Sequence, residues 1–204
     1  MPFFIPNRTK CAICHQPIEN RFEAAELPYI DPAASSSLSQ LARNFVHRHC
    51  WNEWENAKFY AHSAFHLAKT AENQNTAFKI EFEGDELIVF WIAALNNYQL
   101  KDFNLLATVE LPLESSPAIL NFLISVLSQP DITEEYQFED YIWKARWVDA
   151  NIELTLFEDM ETIDKILLPK YRHSIWIAAL KVILNKVTEK LGEVAVNQNY
   201  AMLP

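Results

Sequence analysis

Glycine is almost absent from this chain, which contains two glycines, Gly84 and Gly192, among 204 residues. A phosphate-binding P-loop and a dinucleotide-binding fingerprint each need several closely spaced glycines, so both classes of site are excluded. Long apolar runs are also missing. The longest, residues 87–95, is far shorter than the roughly 20 residues of a membrane-spanning helix. The N-terminus has no basic segment before an apolar one, so we expect neither a secretory signal nor membrane association.

Cysteine is nearly as scarce, with three residues in the chain. An odd number of cysteines cannot all pair in disulfides within one molecule. Their spacing suits a metal ion better than disulfides, as described below. Reduced, metal-binding cysteines are typical of a reducing compartment, so the sequence predicts a cytoplasmic protein.

All the cysteines fall in two short motifs, Cys-x2-Cys and His-x2-Cys, separated by a long intervening segment. Structural zinc sites use four nitrogen or sulfur ligands in a tetrahedral arrangement, and each short motif can supply two of them. The sequence therefore predicts one structural Zn²⁺ with the following ligands: Cys11, Cys14, His47 and Cys50.

The histidine ligand has two alternatives, because His49 lies two residues after His47 and His15 adjoins Cys14. The x2 spacing to Cys50 favours His47, as does its place on the apolar face of a helix predicted over residues 47–69. Four protein ligands leave no position for a catalytic water, so we predict a structural site and no enzymatic activity.

Charge divides the chain unevenly. Residues 1–70 carry a net charge of +1, and residues 71–204 carry −11. Because phosphate backbones repel acidic surfaces, a charged partner of the second part is expected to be basic. The candidate partner surface consists of acidic residues that flank a predicted hairpin: Glu134, Glu135, Glu139, Asp140, Glu158 and Asp159.

The predicted fold class is α+β, with an N-terminal treble-clef zinc module followed by an antiparallel sheet with helices packed on one face. The module spans residues 1–70 and the acidic α+β domain spans 71–204, with a polar linker over 70–76. Predicted strands cover residues 27–30, 78–82, 87–92, 105–111, 141–148 and 152–156. Predicted helices begin at the Ser115-Ser116-Pro117 motif and at residue 172, the second ending at Gly192. Residues 131–140 and 158–164 are predicted to be exposed acidic loops.

Two further sets of residues are interpreted as structural. His62 and His66 lie four apart on the first predicted helix, but a zincin motif needs glutamate directly after the first histidine, where this chain has Ser63. We interpret the pair as surface or interface histidines. Trp143 and Trp147 share a strand face and are interpreted as core residues.

Residues 11–18, Cys-Ala-Ile-Cys-His-Gln-Pro-Ile, and 45–51, Phe-Val-His-Arg-His-Cys-Trp, resemble the N-terminal treble-clef modules of bacterial immunity proteins for polymorphic or contact-dependent toxins. The resemblance covers about the first quarter of the chain. It implies a cytoplasmic protein that binds and neutralises a cognate toxin. Together with the acidic charge, it predicts a basic toxin, such as a nuclease.

A different function is a zinc-finger adaptor or transcription regulator that binds nucleic acid or another protein. A modest basic rim of the zinc module favours it: Arg8, Lys10, Arg43 and Arg48. The overall negative charge of the chain opposes nucleic-acid binding. We therefore predict a protein partner rather than a nucleic acid.

Overall fold

The computed structural model describes residues 3–73, 77–113, 116–129, 133–138, 141–149, 151–158 and 161–201. The chain divides into two units. The first contains Met1–Ile88 and Leu100–Val109, and the second contains Val89–Gln99 and Glu110–Pro204. The first unit therefore extends past residue 70, and whether residues 1–70 form a domain by themselves stays a prediction.

The helices and strands follow one another along the described residues in the order given next. They are β1 (Ala24–Glu26), α1 (Ser36–Ser39), β2 (Phe45–His47), α2 (Arg48–Glu53), α3 (Ala57–Asn73), β3 (Phe78–Gly84), β4 (Leu87–Ile92), β5 (Asn97–Asp102), β6 (Ala107–Pro112), α4 (Ser116–Ser128), β7 (Glu134–Phe138), β8 (Tyr141–Val148), β9 (Asn151–Glu158), β10 (Glu161–Pro169) and α5 (His173–Ala201). Within the residues that the structure describes, no helix has both the length and the apolarity to cross a membrane.

The strands form one small sheet and two larger ones. β1 and β2 pair antiparallel, and the four-stranded sheets have the orders β3-β4-β5-β6 and β10-β9-β8-β7. The α+β class is confirmed, but the prediction of one sheet is wrong. Each larger sheet pairs strands that are neighbours in sequence and is therefore a meander. The helix α4 lies between β6 and β7 in the sequence and separates the two meanders.

The single helix predicted over residues 47–69 is two helices. β2 ends at His47, α2 follows it, and Trp54 interrupts the helical path with an extended backbone (φ −74°, ψ 124°). The Trp54 ring lies 5.9 Å from the rings of Trp51 and Tyr60. These ring contacts stabilise the bend between α2 and α3. The apolar periodicity of 3.6 residues continues across the bend and so does not reveal it. α3 then continues to Asn73, so the first part of the predicted linker is helical.

Residues 27–30 are apolar without forming the predicted strand. Leu27 and Ile30 are fully buried, and the strand in this segment is β1, just before them. Leu27 donates its N–H to the Asn44 carbonyl (2.9 Å) and accepts from the Arg43 N–H (2.8 Å). Burial in the core of the first unit therefore explains the apolar character of this segment.

The helix end predicted at Gly192 is not observed, and neither glycine has a left-handed backbone. Gly84 ends β3, and the left-handed residues of the following turn are Asp85 (φ 53°) and Glu86 (φ 55°). α5 continues through Gly192 to Ala201, and both glycines have negative φ angles. In this chain, therefore, the positions of the glycines do not predict which residues form the turn or where the helix ends.

The sequence patterns miss β5, β7 and β10. In β5 the polar residues Asn97 and Asp102 are buried along with Tyr98 and Leu100, so two apolar residues are too few to mark the strand. β7 and β10 are the edge strands of their sheet and occupy the segments predicted to be acidic loops. Edge strands often carry charged residues, which discourage pairing with other chains.

The predicted core of the second unit is largely confirmed. The apolar stripe of α4 is buried and consists of Ile119, Phe122, Leu123 and Val126. α5 packs against α4 and buries Trp176, Ala179, Leu180, Ile183 and Val187. The β8–β9 hairpin is also confirmed, with Val148 opposite Asn151 at its turn. Trp143 is buried, and half-buried Trp147 donates its indole N–H to the Gln129 carbonyl at 3.2 Å.

A buried carboxylate links three strands of the β10-β9-β8-β7 sheet. Glu153 on β9 is 8% exposed. Its Oε1 accepts from Arg146 Nε at 2.7 Å, and its Oε2 lies 2.6 Å from Lys165 Nζ. Burial alone would raise the pKa of Glu153, but the hydrogen bonds and charges of Arg146 and Lys165 outweigh burial and lower it. The folded state therefore favours the ionised carboxylate.

We expect Glu153→Gln to lower the free energy of unfolding at neutral pH by about 1–3 kcal/mol, since it removes charge-assisted hydrogen bonds from a buried acceptor. The lowered pKa means that this stabilisation is present above the ordinary value of 4.5 and is lost as the pH falls below it. Wild-type stability should therefore decline more steeply than that of the variant between about pH 5 and about pH 3. Urea denaturation at several pH values measures both effects.

The matched control is Glu135→Gln on β7. Glu135 pairs with Lys144 at 2.9 Å, but the two side chains are 51% and 49% exposed, so the control should cost less than about 1 kcal/mol. If both variants lost the same free energy of unfolding, the buried Glu153 carboxylate would contribute no more than an exposed ion pair.

Candidate metal centre

The first half of the centre is a tight turn over residues 11–17. The Cys11 N–H donates to the Gln16 carbonyl, and the His15 N–H donates to the Cys11 carbonyl, both at 2.9 Å. His15 adopts a left-handed conformation (φ 61°), which lets the chain reverse, and Lys10 pairs with Pro17 across the turn. This geometry places two cysteines three residues apart on the same turn.

The second half of the centre lies where β2 meets α2. His47 is the last residue of β2 and the N-cap of α2, and Cys50 lies in the first turn of α2. The Ala12 N–H donates to the Phe45 carbonyl at 2.9 Å, which joins the cysteine turn to β2. The sequence placed both residues in the first turn of a helix, and the structure corrects this for His47, which precedes that helix.

The two halves bring four candidate ligand atoms within 4.8 Å of one another, from Cys11, Cys14, His47 and Cys50. His47 Nδ1 lies 3.4 Å from Cys14 Sγ and 3.7 Å from Cys50 Sγ. In a tetrahedral zinc site with ordinary Zn–S and Zn–N bonds, neighbouring S and N ligands are about 3.5 Å apart. The arrangement can therefore hold a metal ion such as zinc. Cys11 is fully buried and His47 is 7% exposed, while Cys14 and Cys50 are half-buried.

The thiols of the cluster differ in their ease of ionisation. Burial raises the pKa of Cys11, but backbone N–H groups of Cys14, His47 and Ile13 outweigh it and lower the pKa to about 7. The His47 N–H lies 3.4 Å from Cys11 Sγ. Burial, hydrogen bonding with Cys14 and the charge of Cys11 raise the pKa of Cys50 to about 12. A metal ion binds cysteine in its thiolate form, so binding of the metal would release the protons of the thiols.

The alternative histidines lie outside this group of four. His15 is exposed on the cysteine turn. His49 is exposed, and its ring stacks on the His47 ring with 4.8 Å between centroids. The structure thus brings His47 to the cysteines, as the spacing predicts.

Two residues that flank the ligands on α2 fasten the centre to the loop before β6, and the sequence reasoning missed this role. Trp51 Nε1 donates to the Asn104 carbonyl at 2.7 Å. Arg48 donates from Nε to the Phe22 carbonyl and from a terminal nitrogen to the Leu105 carbonyl, both at 3.2 Å. The basic rim predicted from the sequence includes Arg48, but the Arg48 guanidinium donates hydrogen bonds to backbone carbonyls.

The acidic residues of the candidate partner surface are only partly described. Glu134 and Glu135 lie on β7, and Glu158 ends β9. Glu135 forms the half-exposed ion pair with Lys144. The other three, Glu139, Asp140 and Asp159, lie outside the described residues. The described members therefore belong to strands rather than to the predicted acidic loops.

A scan against protein-family models finds no match for this chain, and no curated protein is significantly similar to it. The resemblance to immunity proteins therefore stays a prediction based on two short motifs. The site itself supports a narrower conclusion: the chain contains a Cys₃His cluster whose geometry can hold a metal ion such as zinc.

Proposed function

We propose that Cys11, Cys14, His47 and Cys50 bind one Zn²⁺ in a closed structural site of the treble-clef type. The observation that carries this proposal is the convergence of four ligand atoms within 4.8 Å. A cysteine turn, the β1–β2 hairpin and the start of α2 surround these atoms, and such elements are the parts of a treble clef. Three sulfurs and one imidazole complete a tetrahedral shell, as structural zinc sites require.

A closed shell supports a binding protein rather than a catalyst. Catalytic zinc keeps a position for water or substrate, and thiolate ligands reduce the ability of the ion to polarise it. In this role, zinc would fix the first unit, while the acidic part of the chain would meet the partner.

We propose further that the protein is a cytoplasmic immunity or inhibitor protein that binds and neutralises a basic protein toxin, such as a nuclease. Support comes from the net charge of −11 over residues 71–204 and from the resemblance of the two cysteine-containing motifs. The proposed partner surface is Glu134, Glu135, Glu139, Asp140, Glu158 and Asp159. The position of Glu134 and Glu135 on an edge strand would present them beside the β8–β9 hairpin.

The alternative function, a nucleic-acid-binding regulator, has less support. Arg48 is one of the four basic residues on which it depends, and two backbone carbonyls engage its side chain. Three basic residues make a weak attraction for a phosphate backbone next to an acidic domain.

The test uses the full chain as bait to isolate a basic partner from the source cell, followed by association kinetics with that partner. Raising the salt concentration from about 50 to about 300 mM is expected to slow association by roughly tenfold, because ions screen the attraction of opposite charges. Charge reversal at Glu134, Glu135 or Asp140 should slow association further at low salt. Surface plasmon resonance measures the rates.

Glu19→Lys is the matched control, since it changes the charge equally at an exposed position in residues 1–70. It should alter the association rate much less than Glu135→Lys. Salt-independent association would contradict the electrostatic proposal. Retention of DNA by the purified protein at physiological salt, in a mobility-shift experiment, would favour the regulator instead.

A further inference from the structure

We propose that His62 and His66 on α3, oriented by Glu86, form a second metal site for a divalent transition-metal ion such as Zn²⁺. The two histidines are four residues apart, a spacing that places side chains on the same face of a helix. Both are exposed, and their ring centroids are 4.4 Å apart. The rings are therefore close enough for one ion to reach both, with Zn–N bonds of about 2.0–2.1 Å.

Glu86 sets which nitrogen of His62 is free to bind a metal. Glu86 Oε1 lies 3.1 Å from His62 Nδ1. An ionised carboxylate can only accept a hydrogen bond, so Nδ1 carries the hydrogen, and Nε2 has the free lone pair in the neutral imidazole. Metal-binding histidines commonly donate their second ring N–H to a carboxylate in this way, which orients the ring and makes the free nitrogen more basic.

The Glu86 carboxylate is itself held in place. Its Oε2 accepts from Asn104 Nδ2 at 3.2 Å, and its backbone carbonyl accepts from the Phe103 N–H at 2.9 Å. Glu86 has a left-handed backbone (φ 55°), in a turn where asparagine followed by glycine is the usual choice. Glutamate is unfavourable for such a turn, so the contribution of this residue lies in its side chain.

This second site, defined by His62, His66 and Glu86, differs in kind from the cysteine cluster. Two imidazoles leave the remaining coordination positions to water, or to a carboxylate or imidazole of another molecule. Imidazole ligands suit zinc, copper and nickel. We therefore expect an exchangeable ion that binds more weakly than the ion in the Cys₃His cluster.

The experiment is isothermal titration of the full-length protein with Zn²⁺, after loading with one equivalent of the same ion. The wild type is expected to take up a second, weaker equivalent. His62→Ala and His66→Ala should each abolish it while leaving the first equivalent bound. Glu86→Gln should weaken the second equivalent by about 10–100-fold, the usual effect of removing a carboxylate that orients a ligand.

Glu83→Gln is the matched control, because Glu83 lies on the same hairpin but pairs with Lys69 at 2.7 Å. It should leave the second equivalent unchanged, and circular dichroism should show every variant folded. A wild type that takes up no second equivalent overturns the proposal. So does a His62→Ala/His66→Ala double variant that binds like the wild type. If the protein bound no tight first equivalent but His62→Ala still abolished the weaker binding, the cysteine-cluster proposal would be wrong and this proposal would be supported.

Discussion

Removal of zinc by a chelator is expected to lower the stability of the first unit by on the order of 10 kcal/mol, the energy with which structural zinc holds small modules together. Without a cation, only the weak hydrogen bonds of sulfur would join Cys11, Cys14 and Cys50 to one another and to His47. A loss of this size is comparable to the whole stability of a typical domain. Circular dichroism and thermal denaturation before and after chelation measure the effect.

Single substitutions separate the ligands from their neighbours. Cys11→Ser and His47→Ala are expected to lose zinc and to reproduce the effect of the chelator. His49→Ala and His15→Ala are matched controls, because both histidines are exposed and lie outside the cluster. Metal analysis should find one zinc ion in the wild type and in both controls. Before the analysis, dialysis removes zinc bound weakly at His62 and His66, or these two histidines are replaced. Purified protein without bound transition metal would contradict the zinc proposal.

Replacement of Trp176 by alanine is expected to lower the free energy of unfolding by about 3–5 kcal/mol. Trp176 is fully buried and belongs to the largest fully buried side chains of the described residues. It lies on α5, which packs against α4, so truncation would leave a cavity in the core of the second unit. The cost is a large part of the 5–15 kcal/mol by which a typical domain is stable.

Tyr171→Ala is the matched control for this prediction. Tyr171 is also aromatic and lies five residues earlier in the sequence, but it is 75% exposed. Its truncation should change stability by less than about 0.5 kcal/mol. Urea denaturation followed by circular dichroism compares the variants. A loss below about 1 kcal/mol for Trp176→Ala would mean that the core of the second unit tolerates the cavity.

Local patterns predicted those elements whose own residues carry the signal. The apolar stripe of α4, the continuous apolar run of β4 and the alternation of β8 each follow from a periodicity within one segment. β5, β7 and β10 could not be predicted in this way. In β5, the polar residues Asn97 and Asp102 are buried, so polarity does not mark the exposed face. In the edge strands, acidic residues and a register shift between Thr162 and Asp164 obscure the alternation typical of a strand. Their backbone hydrogen bonds are made with neighbouring strands, and a pattern within one segment does not report such pairing.

The amino-acid sequence by itself determined the candidate ligand set, since cysteine and histidine pairs at short spacing have few other chemical explanations. It also determined the α+β class and the acidity of residues 71–204. Only the tertiary structure decided that His47, rather than His15 or His49, meets the three sulfurs. It likewise decided that Arg48 binds backbone carbonyls and that Glu86 reaches His62. The physical reason is that such contacts join residues far apart in the chain, and only long-range packing brings their side chains within bonding distance.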